Sequence, residues 1–189
     1  MTEIPMASSF SSEDSGNKEI RQRLRSPRER LGGYAVLPRL IDKIRLRAAD
    51  RLPPEYRSNL LRSCDPATGF YPLDGRFLEF TGLDPSELER EILSAPDDET
   101  VLAWVNAHAT PHSSLERELW SASFHTLTPD DRRTEHRKKT YPTLAHRPDI
   151  GTLSPFDLID IDEPGPFPDA VVHRFNFYFG LLECSCSGT

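Results

Sequence analysis

The chain has 189 residues, of which 37% are hydrophobic and 28% charged, with 17 prolines and a net charge of −7. That length suits one domain with a real core, and the acidic balance argues against a general nucleic-acid binder, which would be basic as a whole. The longest charge-free apolar run near the C-terminus, Phe175–Leu182, is far shorter than the ~20 residues that cross a bilayer. Cys64, Cys184 and Cys186 make an odd count and no disulfide framework, so a cytoplasmic protein with reduced thiols is expected.

Residues 1–19 are Ser-rich and polar, with no basic segment ahead of an apolar core. They read as a disordered leader and not as a signal peptide. Ser26-Pro27-Arg28-Glu29 places a capping serine before a first-turn proline and acid, which predicts a short helix that Gly32-Gly33 then ends. In the next segment Leu37, Leu40, Ile41, Ile44 and Ala48 recur at helical spacing, with Pro38 in the first turn. Arg39, Lys43 and Arg47 stand one turn apart on another face, and Asp42 offsets part of that repulsion from three residues before Arg45. Such a face is either a solvated surface with internal pairing or a surface for a phosphate, carboxylate or acidic partner.

A short helix with Pro54 in its first turn follows, and Cys64–Gly69 is rich in bend-favouring residues. Asp74–Phe80 leads into a helix ending near Gly82, with Phe77, Leu78, Phe80 and Leu83 as core candidates. Asp84-Pro85-Ser86-Glu87 and Ser113-Ser114-Leu115-Glu116 read as capping boxes. Between them Asp97 caps a helix in which Val101, Trp104, Val105 and His108 share a face, so His108 is expected to be partly buried. Thr128-Pro129-Asp130-Asp131 starts a helix whose body, Arg132–Lys139, lacks apolar residues and is expected to be solvated. Ser154-Pro155-Phe156-Asp157 opens a short helix, although the alternation of Ile159 and Ile161 with Asp160 and Asp162 also suits a strand. In the tail, Phe175, Phe177 and Phe179 alternate as in a strand.

The runs LRSPRERLGG and LPRLIDKIR, followed in order by LDGRFLEFTGLDP, DDETVLAWV and FDLIDIDE, resemble a bacterial family known as domain of unknown function 5069. The likeness covers about Leu24 to Glu163. It implies a shared helical fold and brings no activity or catalytic set with it. The tail beyond Pro164 departs from the family's pattern.

Charge is spread unevenly: Lys18–Arg57 holds 12 basic and 5 acidic residues, a net of +7, and the rest holds 11 and 25, a net of −14. The acidic run Asp157, Asp160, Asp162 and Glu163 is the main carboxylate cluster; its spacing does not match a calcium loop. Pairing with the basic run would close the domain. The six histidines show no metal-ligand grouping, and the chain has no nucleophile elbow, Walker loop or dinucleotide fingerprint. No cofactor is expected.

These features predict an all-α domain of six to eight short helices over residues 20–163, between the leader (1–19) and a Pro-rich, apolar tail (164–189). The expected function is a non-enzymatic interaction module that holds an acidic protein or small anion on a cationic face, without nucleic acid or membrane. The alternative is an enzyme acting on a small anionic metabolite between the basic helices and the Asp157–Glu163 stretch. The candidate binding residues are Arg28, Arg39, Asp42, Lys43, Arg76, Asp160, Asp162 and Glu163.

Overall fold

Leu37–Ala48 forms the first helix, α1, and the core is assembled on its apolar stripe. Leu37, Leu40, Ile41 and Ile44 are all fully buried, as their spacing requires. The computed structural model describes residues 24–67, 71–125 and 131–163; the leader (1–19) and the tail strand (175–179) lie outside the described residues.

The segment before α1 differs from the expected helix. Ser26–Glu29 is a turn closed by the Glu29 N–H donating to Ser26 O at 3.1 Å. Arg30–Leu31 (β1) then pairs antiparallel with Tyr34–Ala35 (β2), with Arg30 opposite Ala35 and Leu31 opposite Tyr34. Gly32 and Gly33 have φ of 58° and 85°, the two left-handed positions that a two-residue hairpin turn demands. A helix this short would fix several dihedrals for one or two hydrogen bonds. In the hairpin, Pro27 O instead accepts from the Val36 N–H at 3.1 Å. Val36 is buried at φ 70°, a strained conformation for a β-branched side chain.

Seven more helices follow: α2 (Pro54–Arg57), α3 (Leu73–Thr81), α4 (Pro85–Ser94), α5 (Asp98–His108), α6 (Ser114–Ala122), α7 (Asp131–Thr140) and α8 (Pro155–Asp162). The described residues thus form a mostly helical bundle of eight short helices with one small hairpin. Local signals set most boundaries. Asp84 accepts from the N–H groups of Ser86 and Glu87, and Asp97 from that of Thr100. Ser113 with Glu116, and Ser154 with Asp157, form complete capping boxes. The second box settles Asp157–Asp162 as helix. Glu87 does not complete a box at α4; it lies 3.7 Å from Arg90.

α1 packs on α4, α4 on α5, α6 on β2, and α8 on the single turn Ser123–His125 that follows α6. Phe77, Leu88, Ile92, Val101, Val105, Phe124 and Phe156 fill the space between them. Leu144, Ile150 and Leu158 make a small second cluster under α8. Two burial expectations fail. His108 is exposed, stacked on Trp104 at 4.4 Å, because Val101 and Val105 are buried and Trp104 packs partly on the core while His108 lies beyond its edge. The body of α7 is not wholly solvated: Arg137 is buried and donates to Ile150 O (2.9 Å) and Gly151 O (2.7 Å), tying the helix to the loop before α8.

Candidate functional site

The basic run and the acidic last helix meet. Arg28 Nε donates to Asp160 at 2.8 Å, and its Nη2 pairs with Asp157. Ser26 Oγ donates to Asp160 Oδ1 at 2.8 Å. Arg39, on α1, offers Nη2 to both carboxylate oxygens of Glu163 at 2.8 Å, and Tyr56 Oη donates to the same carboxylate at 2.6 Å. Asp162 turns elsewhere and accepts from Thr143. The capping box of α8 points Asp157 back toward Arg28, so one carboxylate both starts the helix and anchors it.

Lys43 lies one turn beyond Arg39 but pairs with Asp74, in the first turn of α3, at 2.6 Å. Both residues are buried, and Asp74 also accepts from the Leu61 N–H at 3.3 Å. Asp74 reaches this position because Gly75 lets the preceding loop run close by: a Cβ there would lie 2.5 Å from Arg62 O and 2.9 Å from Cys64 N. Burial pushes the Lys43 ammonium below its ordinary pKa, against the pull of Asp74. Burial also opposes the charge on Arg39, but Glu163 outweighs it and holds the guanidinium above its usual value. Tyr141 faces the same cluster, and burial together with the Glu163 and Asp162 charges pushes its hydroxyl up to about 12.

Asp42 and Arg45 do not pair with each other. Asp42 takes a fork from Arg25 (2.7–3.1 Å), and Arg45 donates to Asp98 at 2.7 Å. Arg25 bridges the two by reaching Asp98 at 2.6 Å. These cations hold the Asp98 carboxyl below its usual range even though burial acts the other way. Arg47 pairs with Glu89. Most of the positive face of α1 is therefore matched within the chain.

Arg76 is different. Its guanidinium lies 3.8 Å from the centre of the Phe124 ring and donates to Ser123 Oγ at 3.1 Å. Among the described residues it has no salt-bridge partner; Cys64 and Glu79 act on it only through space, and burial lowers its pKa. The ring beneath Arg76 belongs to a run of rings. Phe124 stacks on Phe156 at 4.7 Å and meets Trp120 edge-on at 4.9 Å. Trp120 stacks on Phe80 at 4.7 Å, and Phe80 on His112 at 3.9 Å. Arg117, 4.4 Å from the Tyr34 ring, also lacks a carboxylate among the described residues and donates to Gly32 O at 2.6 Å.

Of the eight candidates, Arg28, Arg39, Asp160 and Glu163 come together. Asp42, Lys43 and Asp162 each face a different partner, and Arg76 stands apart. The sequence reasoning missed Arg25, Tyr56, Asp74, Asp98 and Tyr141. Asp74 is the acid in the first turn of α3, a helix without a side-chain cap, and its spacing alone gives no sign that it is buried against Lys43. Among the described residues, no group of three or more His, Cys, Asp or Glu is placed to hold a metal ion, and no helix is long and apolar enough to cross a membrane. A family described as Domain of unknown function (DUF5069) matches residues 21–164. Comparison with curated proteins finds no match.

Proposed function

We propose that this chain, which belongs to the family described as Domain of unknown function (DUF5069), is a non-enzymatic interaction module that holds an acidic partner or small anion through Arg76. A contrast supports this reading. Arg28, Arg39 and Lys43 each meet a carboxylate of the chain itself, so an outside acid would have to displace it. Arg76 keeps a planar, half-buried guanidinium with a hydroxyl beside it and no salt bridge among the described residues, Glu79 acting on it only through space. A charge held this way gains from an arriving carboxylate or phosphate what the other arginines already have.

The competing reading is an enzyme acting on a small anionic metabolite, with Arg39, Lys43, Tyr141 and Glu163 as its machinery. The shifted Lys43 and Tyr141 favour it, because displaced pKa values gather at active sites. Against it, the cations and carboxylates of that cluster are already paired with one another and shielded from water.

Thermal shift in citrate, phosphate, pyrophosphate and poly-glutamate tests the module. A bound anion at a hundred times its Kd adds about 2.7 kcal/mol to stability, a rise of several degrees in a domain of this size. Arg76→Gln is expected to lose that rise. An equal rise in the variant and the parent would refute the assignment.

A further inference from the structure

α6 is packed on one side only. Leu115 and Leu119 are 62% and 61% exposed, and Ala122, next in the same row, is exposed as well. These residues fall at i, i+4 and i+7, the spacing that normally turns an apolar row toward a core; here it faces outward. The row leads directly to the Arg76 site, because Ser123, whose hydroxyl accepts from Arg76, stands one turn beyond Leu119. Phe80, one turn beyond Arg76 on α3, and Trp120, stacked on it, are half-buried and continue the apolar surface between the two helices. Glu118 is exposed beside Leu119, and at the other end Arg76 stands without a salt bridge among the described residues, with the exposed Glu79 acting on it only through space.

We propose that the outward row of α6 and Arg76 form one docking surface for an amphipathic helical segment of another protein, its apolar row seated on Leu115 and Leu119 and a carboxylate one turn beyond it meeting Arg76. This rests on the assignment of Arg76 as the anion-holding group and adds the partner's chemistry to it. Charge selects the occupant: a guanidinium without a salt bridge among the described residues, at the end of an apolar row, fits a segment with an acid at that end, and Glu118 disfavours a further acid along its flank. The mode is a helix laid on an apolar surface, read through anchors one turn apart.

The test uses the full chain and a panel of synthetic helix-stabilised peptides with leucines at i, i+4 and i+7. The peptides differ only at the position one turn beyond, which carries Glu, Gln or Lys, and binding is followed by fluorescence anisotropy. The Glu peptide is expected to bind at least tenfold more tightly than the Lys peptide. Arg76→Gln should erase that preference, Arg76→Lys should restore part of it, and Leu115→Gln/Leu119→Gln should weaken every peptide at least tenfold. All these positions are exposed or half-buried, and circular dichroism verifies that each variant keeps its helices. If the leucine variant binds like the parent while Arg76→Gln loses the preference, the surface is wrong and the anion site stands. If Arg76→Gln behaves like the parent, the anion site fails and the inference with it. Absence of binding by any peptide overturns the proposal. So does a benzophenone placed at Leu115 that cross-links to a second copy of the chain, or to residues 164–189, in preference to the Glu peptide.

Discussion

Replacing Glu163 with alanine removes the partner of Arg39 where little water can substitute. The Arg39 and Glu163 side chains are 5% and 6% exposed, and the variant would delete two charge-assisted bonds from Nη2 and the acceptor of Tyr56 Oη together. Breaking a buried pair from one side costs about 3–5 kcal/mol, because the remaining charge stays desolvated. In a domain of this length each kcal/mol shifts Tm by about 2–4 °C, so Glu163→Ala should melt roughly 6–20 °C lower. Urea unfolding followed by circular dichroism gives the free energy directly. The double variant Arg39→Met/Glu163→Leu separates the cost of the orphaned charge from the worth of the pair. It should recover to within about 1 kcal/mol of the parent, since apolar replacement of a buried pair is often neutral. A loss under about 1 kcal/mol in Glu163→Ala would refute the reasoning, because Arg39 would then be finding water or another acid.

Gly75→Ala should cost more than the helix propensity of alanine returns. The added carbon meets backbone at 2.5 Å and 2.9 Å, and we expect a net loss of about 1–3 kcal/mol by urea denaturation; a stabilised variant would show that the Arg62–Cys64 loop moves freely. Tyr141 sets a pH dependence. Its pKa rises from 10 to about 12 on folding, so between those values the folded state holds the proton that the unfolded state has released. Stability is complete below pH 10 and falls by up to about 2 kcal/mol as pH climbs toward 12; Tyr141→Phe should flatten this slope, and parallel curves for the two proteins would contradict it. Ser121 Oγ is buried with no hydrogen-bond partner among the described residues. Ser121→Ala should therefore leave stability unchanged or raise it by about 1 kcal/mol, and a drop of that size would reveal an acceptor for the hydroxyl.

Helix caps and the α1 stripe were legible in the sequence because they depend on neighbours three or four residues away. Ser154 and Asp157 satisfy one another locally, and that bond decided between helix and strand where the Ile/Asp alternation could not. The hairpin was not legible, since Ser-Pro-Arg-Glu carries a helix-start signature and Gly-Gly serves equally as a helix stop or a hairpin turn; the deciding contact, Val36 to Pro27, appears only in space. Charge segregation foretold that the ends of the domain meet, yet it did not choose partners. Lys43 and Arg39 look equivalent along α1, and only the approach of α3 gives one to Asp74 and the other to Glu163. His108 lay on an apolar face by spacing but is exposed, because the number of neighbouring helices limits how wide a stripe is covered.

The closure of the bundle by α8 bears on how the protein is made. Arg28 is separated from Asp160 by 132 positions. At a synthesis rate of about 5–20 residues per second, a ribosome needs roughly 7–26 s to travel that distance. During that interval the nascent chain carries Arg28 and Arg39 without their acidic counterparts. Closure of the bundle therefore waits on the synthesis of α8, the last of the described helices.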